Sequence, residues 1–316
     1  MTLTAPLPEE VEAETPPPSG DADEVRGGGW FVRITILVIV VLWLIPTLGV
    51  LVTSFRPAAV VNETGWWTTF AHLFDSGQWT LQNYRDVLDT GGFENALLNS
   101  LAVTIPSTVI PITIAAFAAY AFSWMEFRGR YVMFVVVVGL LVVPLQMALI
   151  PILRLYSGGA SLGGVPIFPD LDLNGTFLGI WLAHTAFGLP LAVYLLRNFI
   201  GSLPSSIIES AKVDGADHFT IFWRLVVPLS VPALAAFAIF QFLWVWNDLL
   251  VARIFLGATE ENRVLTIALQ ALAGSRAQDW HLLTSAAFIT MILPLAVFFS
   301  LQRYFIRGLT AGAVKG

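Results

Sequence analysis

One long polar stretch that interrupts the apolar body of this chain reads "IESAKVDGADHFTIFWRLVVPLSVP", over residues 208–232. It carries Glu209, Lys212, Asp214, Asp217, His218 and Arg224, with Gly215 near its middle. Other groups able to do chemistry are sparse. His72, His184, His218 and His281 are too scattered for a zinc motif such as H-E-x-x-H. The chain has two lysines, Lys212 and Lys315, and neither follows a glycine-rich phosphate loop, so no Walker A nucleotide site is expected. There is no cysteine, which excludes disulfides and thiolate metal sites. No Ser/His pairing suggests an intramembrane protease or transferase. Catalytic chemistry is therefore not expected of this chain.

A second group of polar residues lies near the end of an apolar run: Gln241, Trp244, Trp246, Asn247 and Asp248. Sugars are bound by stacking on aromatic faces and by amide and carboxylate side chains, so Gln241, Trp244, Asn247 and Asp248 are candidates for a substrate pathway. On a continuous helix Trp244 and Asp248 would share a face at i, i+4. The competing reading is an interfacial belt, where Trp is enriched in any case. His184 lies inside an apolar run. It reads as a satisfied interior histidine, although an ionisable group at that depth is also a functional candidate.

The elements that must position these groups are membrane spans. Of 316 residues, 56% are hydrophobic and 12% charged, and the mean hydropathy is +0.76. A soluble domain carries about 25% charged residues. Six runs of more than 20 residues lack Asp, Glu, Lys and Arg: 34–55, 95–125, 131–153, 173–196, 225–247 and 280–302. About 20 apolar residues cross a bilayer, so the expected fold is all-α, with six transmembrane helices. The helical parts of the second and fourth runs are expected to be shorter than the runs themselves. Prolines 46, 106, 111, 144, 190 and 294 fall inside the runs, where neighbouring helices can satisfy the freed carbonyls.

The net charge of −6 is misleading, because seven acids and no base lie in the first 24 residues. From Val25 onward there are 16 bases against 15 acids. Residues 1–29 read as a disordered acidic tail, and no cleavable signal is expected. With six spans, the segments fall into two sets carrying ten and six bases. The richer set, which includes 197–224 and both termini, is expected to be cytoplasmic. The outer face then holds a Trp-rich segment over 57–94, a Gly/Pro-rich loop near 155–172 and a third loop near 253–279. Proton-coupled transporters use intramembrane Asp, Glu or His chains, and these runs offer only His184. The energy for any transport is therefore expected to come from outside the spans.

The polar stretch reads as two short helices. Pro204 suits a first turn, and Ser206-x-x-Glu209 has the spacing of a capping box. Ile207, Ile208 and Ala211 are expected on one face. Gly215 is a helix stop, and Asp217 can cap a second helix in which Phe219, Phe222 and Trp223 share a face. Pro228 and Pro232 are expected to bracket re-entry into the fifth span. Physics alone leaves two readings open: a plug for a partner's groove, or an amphipathic loop lying on lipid.

The stretch resembles the EAA loop of bacterial ABC importer permeases: Glu-Ala-Ala, three residues, Gly, nine residues, then Ile-x-Leu-Pro. Glu209, Ala211, Gly215 and Pro228 stand at the matching spacing, while Ser210, Leu225 and Val227 are mild departures. Five further segments are similar to the carbohydrate branch, of the six-span maltose permease type: "NSLAVT" at 99–104, "VPLQMALIP" at 143–151, "FGLPLAVYLLRNFIGSLP" at 187–204, "FQFLWVWNDLL" at 240–250 and "QRYFIRGLTAGAVKG" at the end. The resemblance covers roughly residues 30–316, and the tail and Trp-rich segment hint at an alpha-glucoside subgroup. It implies a six-span permease domain over 30–316, in a bacterial inner (plasma) membrane, with a coupling loop at 200–228. The coupling positions would be Glu209, Ser210, Ala211, Asp214, Gly215, Ala216 and Pro228.

The implied partners are a second membrane subunit, two cytoplasmic ATPase subunits that bind ATP and Mg, and an extracytoplasmic sugar-binding protein. No cofactor is implied in this chain. The second membrane subunit can hold most of the sugar contacts, and the third outer loop can meet the binding protein. The competing reading is a self-sufficient secondary transporter of a small polar solute. The lack of intramembrane carboxylates weighs against it.

Overall fold

The structure, a computed structural model, describes residues 29–89, 92–275 and 279–311. The tail expected over 1–29 lies outside them but for Gly29, as does the end of the C-terminal motif beyond Ala311. The chain forms two compact units, residues 1–48 and 49–316. In the first unit the described structure is the leading part of helix α1 (Trp30–Ser54), whose residues 30–48 are all exposed and mostly apolar. Such a surface suits lipid rather than water.

The second unit begins with the last turn of α1. Two short helices follow, α2 (Ala58–Glu63) and α3 (Gln82–Asp89), separated by 3-10 turns at Trp66–Ala71 and Ser76–Gln78. The long helices are α4 (Phe93–Trp124), α7 (Phe177–Ile200), α10 (Val227–Trp246) and α13 (Trp280–Ala311). Between α4 and α7 lie α5 (Arg130–Gly139), a 3-10 turn at Leu140–Val142, and α6 (Leu145–Gly158). A two-stranded hairpin then forms, β1 (Ala160–Leu162) paired antiparallel with β2 (Val165–Phe168). α8 (Ser205–Val213) and α9 (His218–Ile221) precede α10, and α11 (Leu250–Phe255) and α12 (Leu265–Ser275) follow it.

Two sequence expectations are corrected. The third apolar run is a bent pair, not one straight helix: its two halves, Arg130–Val142 and Leu145–Gly158, meet at 107°. Pro144 is the cause. It cannot continue a helix, and it drives Val143 into extended backbone at ψ 116°. Among the described residues there are thus five straight apolar helices long enough to span, and six spans when the bent pair is one. The helix over the second run is not shorter than the run, because α4 is 32 residues long and carries both Pro106 and Pro111. The Gly/Pro-rich loop near 155–172 contains the short hairpin, within a fold that is otherwise helical. Gly159, Gly163 and Gly164 take the positive φ angles that its turns need.

Side-chain hydrogen bonds fix how the spans alternate. At one end Trp181 Nε1 donates to Ala102 O, so α4 and α7 start together. At the other, Trp124 Nε1 donates to Ile200 O, so they also finish together. Two parallel helices need a return crossing, and the bent pair supplies it. α5 begins where α4 ends, with Phe134 against Phe122 and under the Arg197 guanidinium, 4.8 Å from the ring centre. α6 ends near the start of α7, where Leu173 N donates to Tyr156 O. α10 runs back the other way. It starts with Phe222 on Tyr120 and ends with Trp246 donating to Thr290 O of α13.

Small residues are buried along both α4 and α7: Ala96, Ser100, Thr104, Ser107, Ala115 and Ala119 of α4, and Gly179, Ala183, Gly188 and Ala192 of α7. In lipid, helices associate through close van der Waals contact rather than through the hydrophobic effect, and small residues permit that approach. At the far end from α8, Asn83 Nδ2 of α3 donates to Ser54 O and Arg56 O. Ser285 Oγ of α13 also donates to Ser54 O. Arg56 is fully buried and donates to Thr64 O at 3.1 Å and to Thr64 Oγ1, which folds the segment after α1 around its guanidinium.

Candidate functional site

α8 is built from its ends inward. Pro204 stands at its N-cap without a side-chain cap bond. The expected capping box does not form: Ser206 lies inside the helix, which begins one residue before it, at Ser205. Pro204 explains this shift, because its ring presets the backbone just outside the first turn. At the C-terminus the chain closes as a Schellman motif. Ala216 N donates to Ala211 O at 3.0 Å and Gly215 N donates to Lys212 O at 3.0 Å, with Gly215 at φ +80°. Asp217 Oδ1 then accepts from Thr220 N at 2.8 Å and caps the next helix. That bond and the Thr220 hydroxyl hold the Asp217 carboxyl below the usual carboxylate range.

The next helix is not separate, which corrects another expectation. α9 continues through a π-helical segment, Phe222–Val226, straight into α10, so one helix runs from His218 to Trp246. Pro228 and Pro232 lie inside it rather than bracketing it. In an α-helix the ring of Pro228 would meet the carbonyl of Arg224, four residues back. The wider π turn contains Arg224 and relieves that contact.

This unit is anchored on one side and open on the other. Ile208 is 1% exposed and packs with Ala115, Ala119, Ile200, Ile221 and Phe222. Burying such a side chain contributes about 1.5–3 kcal/mol. Phe222 stacks on Phe117 at 4.4 Å, and Tyr120 Oη lies 2.8 Å from His218 Nδ1. Glu209, Ser210, Asp214 and Gly215 are exposed, Ala211 and Ala216 are half-buried, and Pro228 is exposed on α10, away from the α8 surface. Two expected faces are split. Ile207 is exposed while Ile208 is buried, and Phe219 and Trp223 are exposed while Phe222 is buried. Val213 is 87% exposed, which sequence reasoning did not single out. Nor did it single out the Tyr120–His218 contact, which joins residues 98 apart in sequence. The open surface therefore combines acids with apolar side chains, while its underside is fused to the ends of α4 and α7. Motion of whatever sits on it would reach both spans directly.

The second candidate group lies at the other end of α10. Gln241 is fully buried and donates through Nε2 to Ser107 O at 3.1 Å. It fills the space left by Gly188, where a Cβ would stand 2.7 Å from the amide. α10 stops at Trp246. Asn247 is exposed and donates to Leu243 O, and Asp248 turns away to cap α11. Asp248 accepts from Val251 N at 3.2 Å and from Ala252 N at 2.8 Å. Trp244 and Asp248 therefore do not share a helix face. Each meets His184 instead: Trp244 edge-on at 6.3 Å between ring centres, and Asp248 Oδ2 at 3.8 Å from Nε2. His184 is fully buried, and neither ring nitrogen reaches a hydrogen-bonding protein group.

The family model of the binding-protein-dependent transport system inner membrane component matches residues 96–311. The osmoprotective compounds uptake permease protein GgtD of Synechocystis sp. is 57% identical over 284 residues, covering 90% of this chain and 91% of that protein. The alpha-glucoside transport system permease protein AglG of Rhizobium meliloti is 60% identical over 239 residues, covering 76% of this chain and 61% of that protein. A crystal structure of a bacterial ABC transporter involved in the import of the acidic polysaccharide alginate contains a chain of similar fold. Its TM-score is 0.68 at 22% identity, with 87% of this chain and 95% of that one covered.

Proposed function

The chain belongs to the family of binding-protein-dependent transport system inner membrane components, and from that premise we propose that it is a permease subunit of an ATP-driven sugar importer. It forms half of the translocation pathway, and its substrate is an oligosaccharide such as an alpha-glucoside. The similarity to AglG over 76% of the chain supports that substrate class. The chain sits in a bacterial inner membrane with both termini and the 200–228 loop in the cytoplasm. A second membrane subunit completes the pathway, two ATPase subunits bind ATP and Mg, and an extracytoplasmic sugar-binding protein delivers the substrate. The chain itself performs no catalysis.

One observation carries the reading. The α8 unit has a rigid, double-capped frame, an open face carrying Glu209, Ser210, Asp214 and Val213, and an underside packed into α4 and α7. A loop that merely rested on lipid would not need its two helix ends locked this way. In this role Glu209, Ser210, Ala211, Asp214, Gly215 and Ala216 form the coupling surface, and Pro228 sets the exit into α10. Gln241, Trp244, Asn247 and Asp248 belong to the pathway side, with Gln241 and Asp248 acting by shaping the helices rather than by meeting sugar.

Co-purification from native membranes tests the proposal. A stoichiometric ATPase is expected to accompany the chain, and uptake into liposomes should need ATP and the binding protein. Uptake by the purified chain alone, without ATP, would establish a secondary transporter instead.

A further inference from the structure

His184 occupies the middle of α7 with no exposed surface, and both ring nitrogens lack a protein hydrogen-bond partner. Leaving a buried polar group unpaired is costly, so a partner is demanded. Asp248 Oδ2, at 3.8 Å from Nε2, is too far for a direct hydrogen bond. Beside the ring lies a cavity of about 10 Å³, lined by Ser100, Thr104, His184, Trp246 and Asp248 among others. About 10–15 Å³ with two to four polar partners is what one water requires. The lining supplies those partners. Ser100 Oγ accepts from Leu265 N at 2.8 Å, which leaves its own proton to donate.

We infer that one ordered water occupies this cavity, bridging His184 Nε2, Asp248 Oδ2 and a hydroxyl of Ser100 or Thr104, and that through it His184 positions the turn at Asp248, where the segment 248–266 begins. Asp248 caps α11 with its carboxylate, and its carbonyl accepts from Thr266 Oγ1 at 2.6 Å. Further along, the segment has other ties: Leu265 N holds to Ser100, Asn99 Nδ2 donates to Glu261 O at 2.7 Å, Asn262 Nδ2 donates to Gly175 O at 3.1 Å, and Val251, Ala252 and Phe255 pack with Ile180 and Ala183. Removing the water frees the Asp248 turn from His184 and leaves those other ties in place. As a positioning role in transport, the inference rests on the permease reading; as a water site, it does not.

The test uses the assembled complex in nanodiscs, with a nitroxide on Leu250→Cys, an exposed position two residues from Asp248. His184→Gln puts an amide near the place of Nε2 and should keep nitroxide mobility and uptake within about twofold of the parent. His184→Asn reaches only the Nδ1 place. His184→Asn and His184→Leu should raise mobility and lower uptake about three- to tenfold. Losses in the His184→Leu and Asp248→Asn pair should be non-additive, because both act through one water. A high-resolution map should show its density. Additive losses, equal behaviour of Gln and Leu at 184, or a dry cavity would each overturn the inference. If His184→Leu does not assemble, the Gln and Asn variants and the map still decide it. A parent complex that moves no sugar would refute the permease reading, while mobility and density would still score the water.

Discussion

Replacing Gly215 isolates one physical term in the α8 unit. Gly215 holds φ +80° as the residue that closes the Schellman motif. A Cβ built there meets nothing within 4 Å, so substitution brings no clash inside this chain. What remains is the backbone cost of an L side chain at positive φ, about 1–2 kcal/mol. With 1.4 kcal/mol per tenfold, the correctly closed loop becomes roughly five- to thirtyfold less favoured. Gly215→Asn should lose least, because Asn tolerates this conformation. Gly215→Ala should lose an intermediate amount, and Gly215→Val most, since a β-branched residue is an outlier there. The cost falls outside the spans, so insertion and pairing with the second subunit should be intact. The assay is ATP hydrolysis stimulated by the binding protein, read beside uptake, and the two should fall together in the order Asn, Ala, Val. Normal transport by Gly215→Val would refute the conformational argument. Equal failure of all three would refute it differently, by showing that a partner surface closes over the open side.

Three further outcomes are expected. Gly188→Ala drives a methyl into the Gln241 amide and should cost about 0.5–1.5 kcal/mol through its bond to Ser107 O; thermal unfolding of Gly188→Ala with and without Gln241→Ala checks whether the cost runs through that amide. Single cysteines at Ser206 and Gly158, in this cysteine-free chain, should label from outside intact cells at 158 only, and labelling at 206 alone would invert the topology. Asp217→Asn should be near neutral at pH 7, because Asn caps as well as Asp. The Asp217 carboxyl is held low in the folded chain, so its contribution is complete above the unfolded value near 3.9 and is lost as pH falls through the folded value. The parent should therefore melt below Asp217→Asn on acidification, and curves that stay together would count against the cap.

Much of this architecture is legible in the residues, and the misreadings share a cause. Charge-free runs locate spans because hydrocarbon excludes ions whatever the helix does, so five of the six runs map onto helices long enough to span and the third onto the bent pair. Gly215 and Asp217 were readable because each acts locally, through its own φ or its own side chain. Proline misled in both directions. Pro144, expected within its span, breaks it, while Pro228 and Pro232, expected to bracket the fifth span, sit within its helix, where a π turn relieves the Pro228 ring. The Trp244–Asp248 pairing failed because it assumed that α10 continues past Trp246. The Tyr120–His218 and His184–Asp248 contacts join residues 98 and 64 positions apart, and no pattern in a single sequence encodes such meetings.

The π segment turns the stretch between Gly215 and Pro228 into a phase setting. An α-helix advances 100° per residue, and the extra residue in the wide turn absorbs one such step before the span begins. The open face of α8 is therefore aimed by residue count as much as by residue identity. Deleting one residue between Phe222 and Val226 would restore a regular helix at the expense of the Pro228 fit. Deleting a residue outside the wide turn, where no bulge absorbs the step, would instead swing everything upstream by about a quarter turn, with every other side chain of the loop intact but pointed at the wrong neighbour. Chimaeras that exchange this loop between related permeases should therefore tolerate altered side chains far better than an altered length.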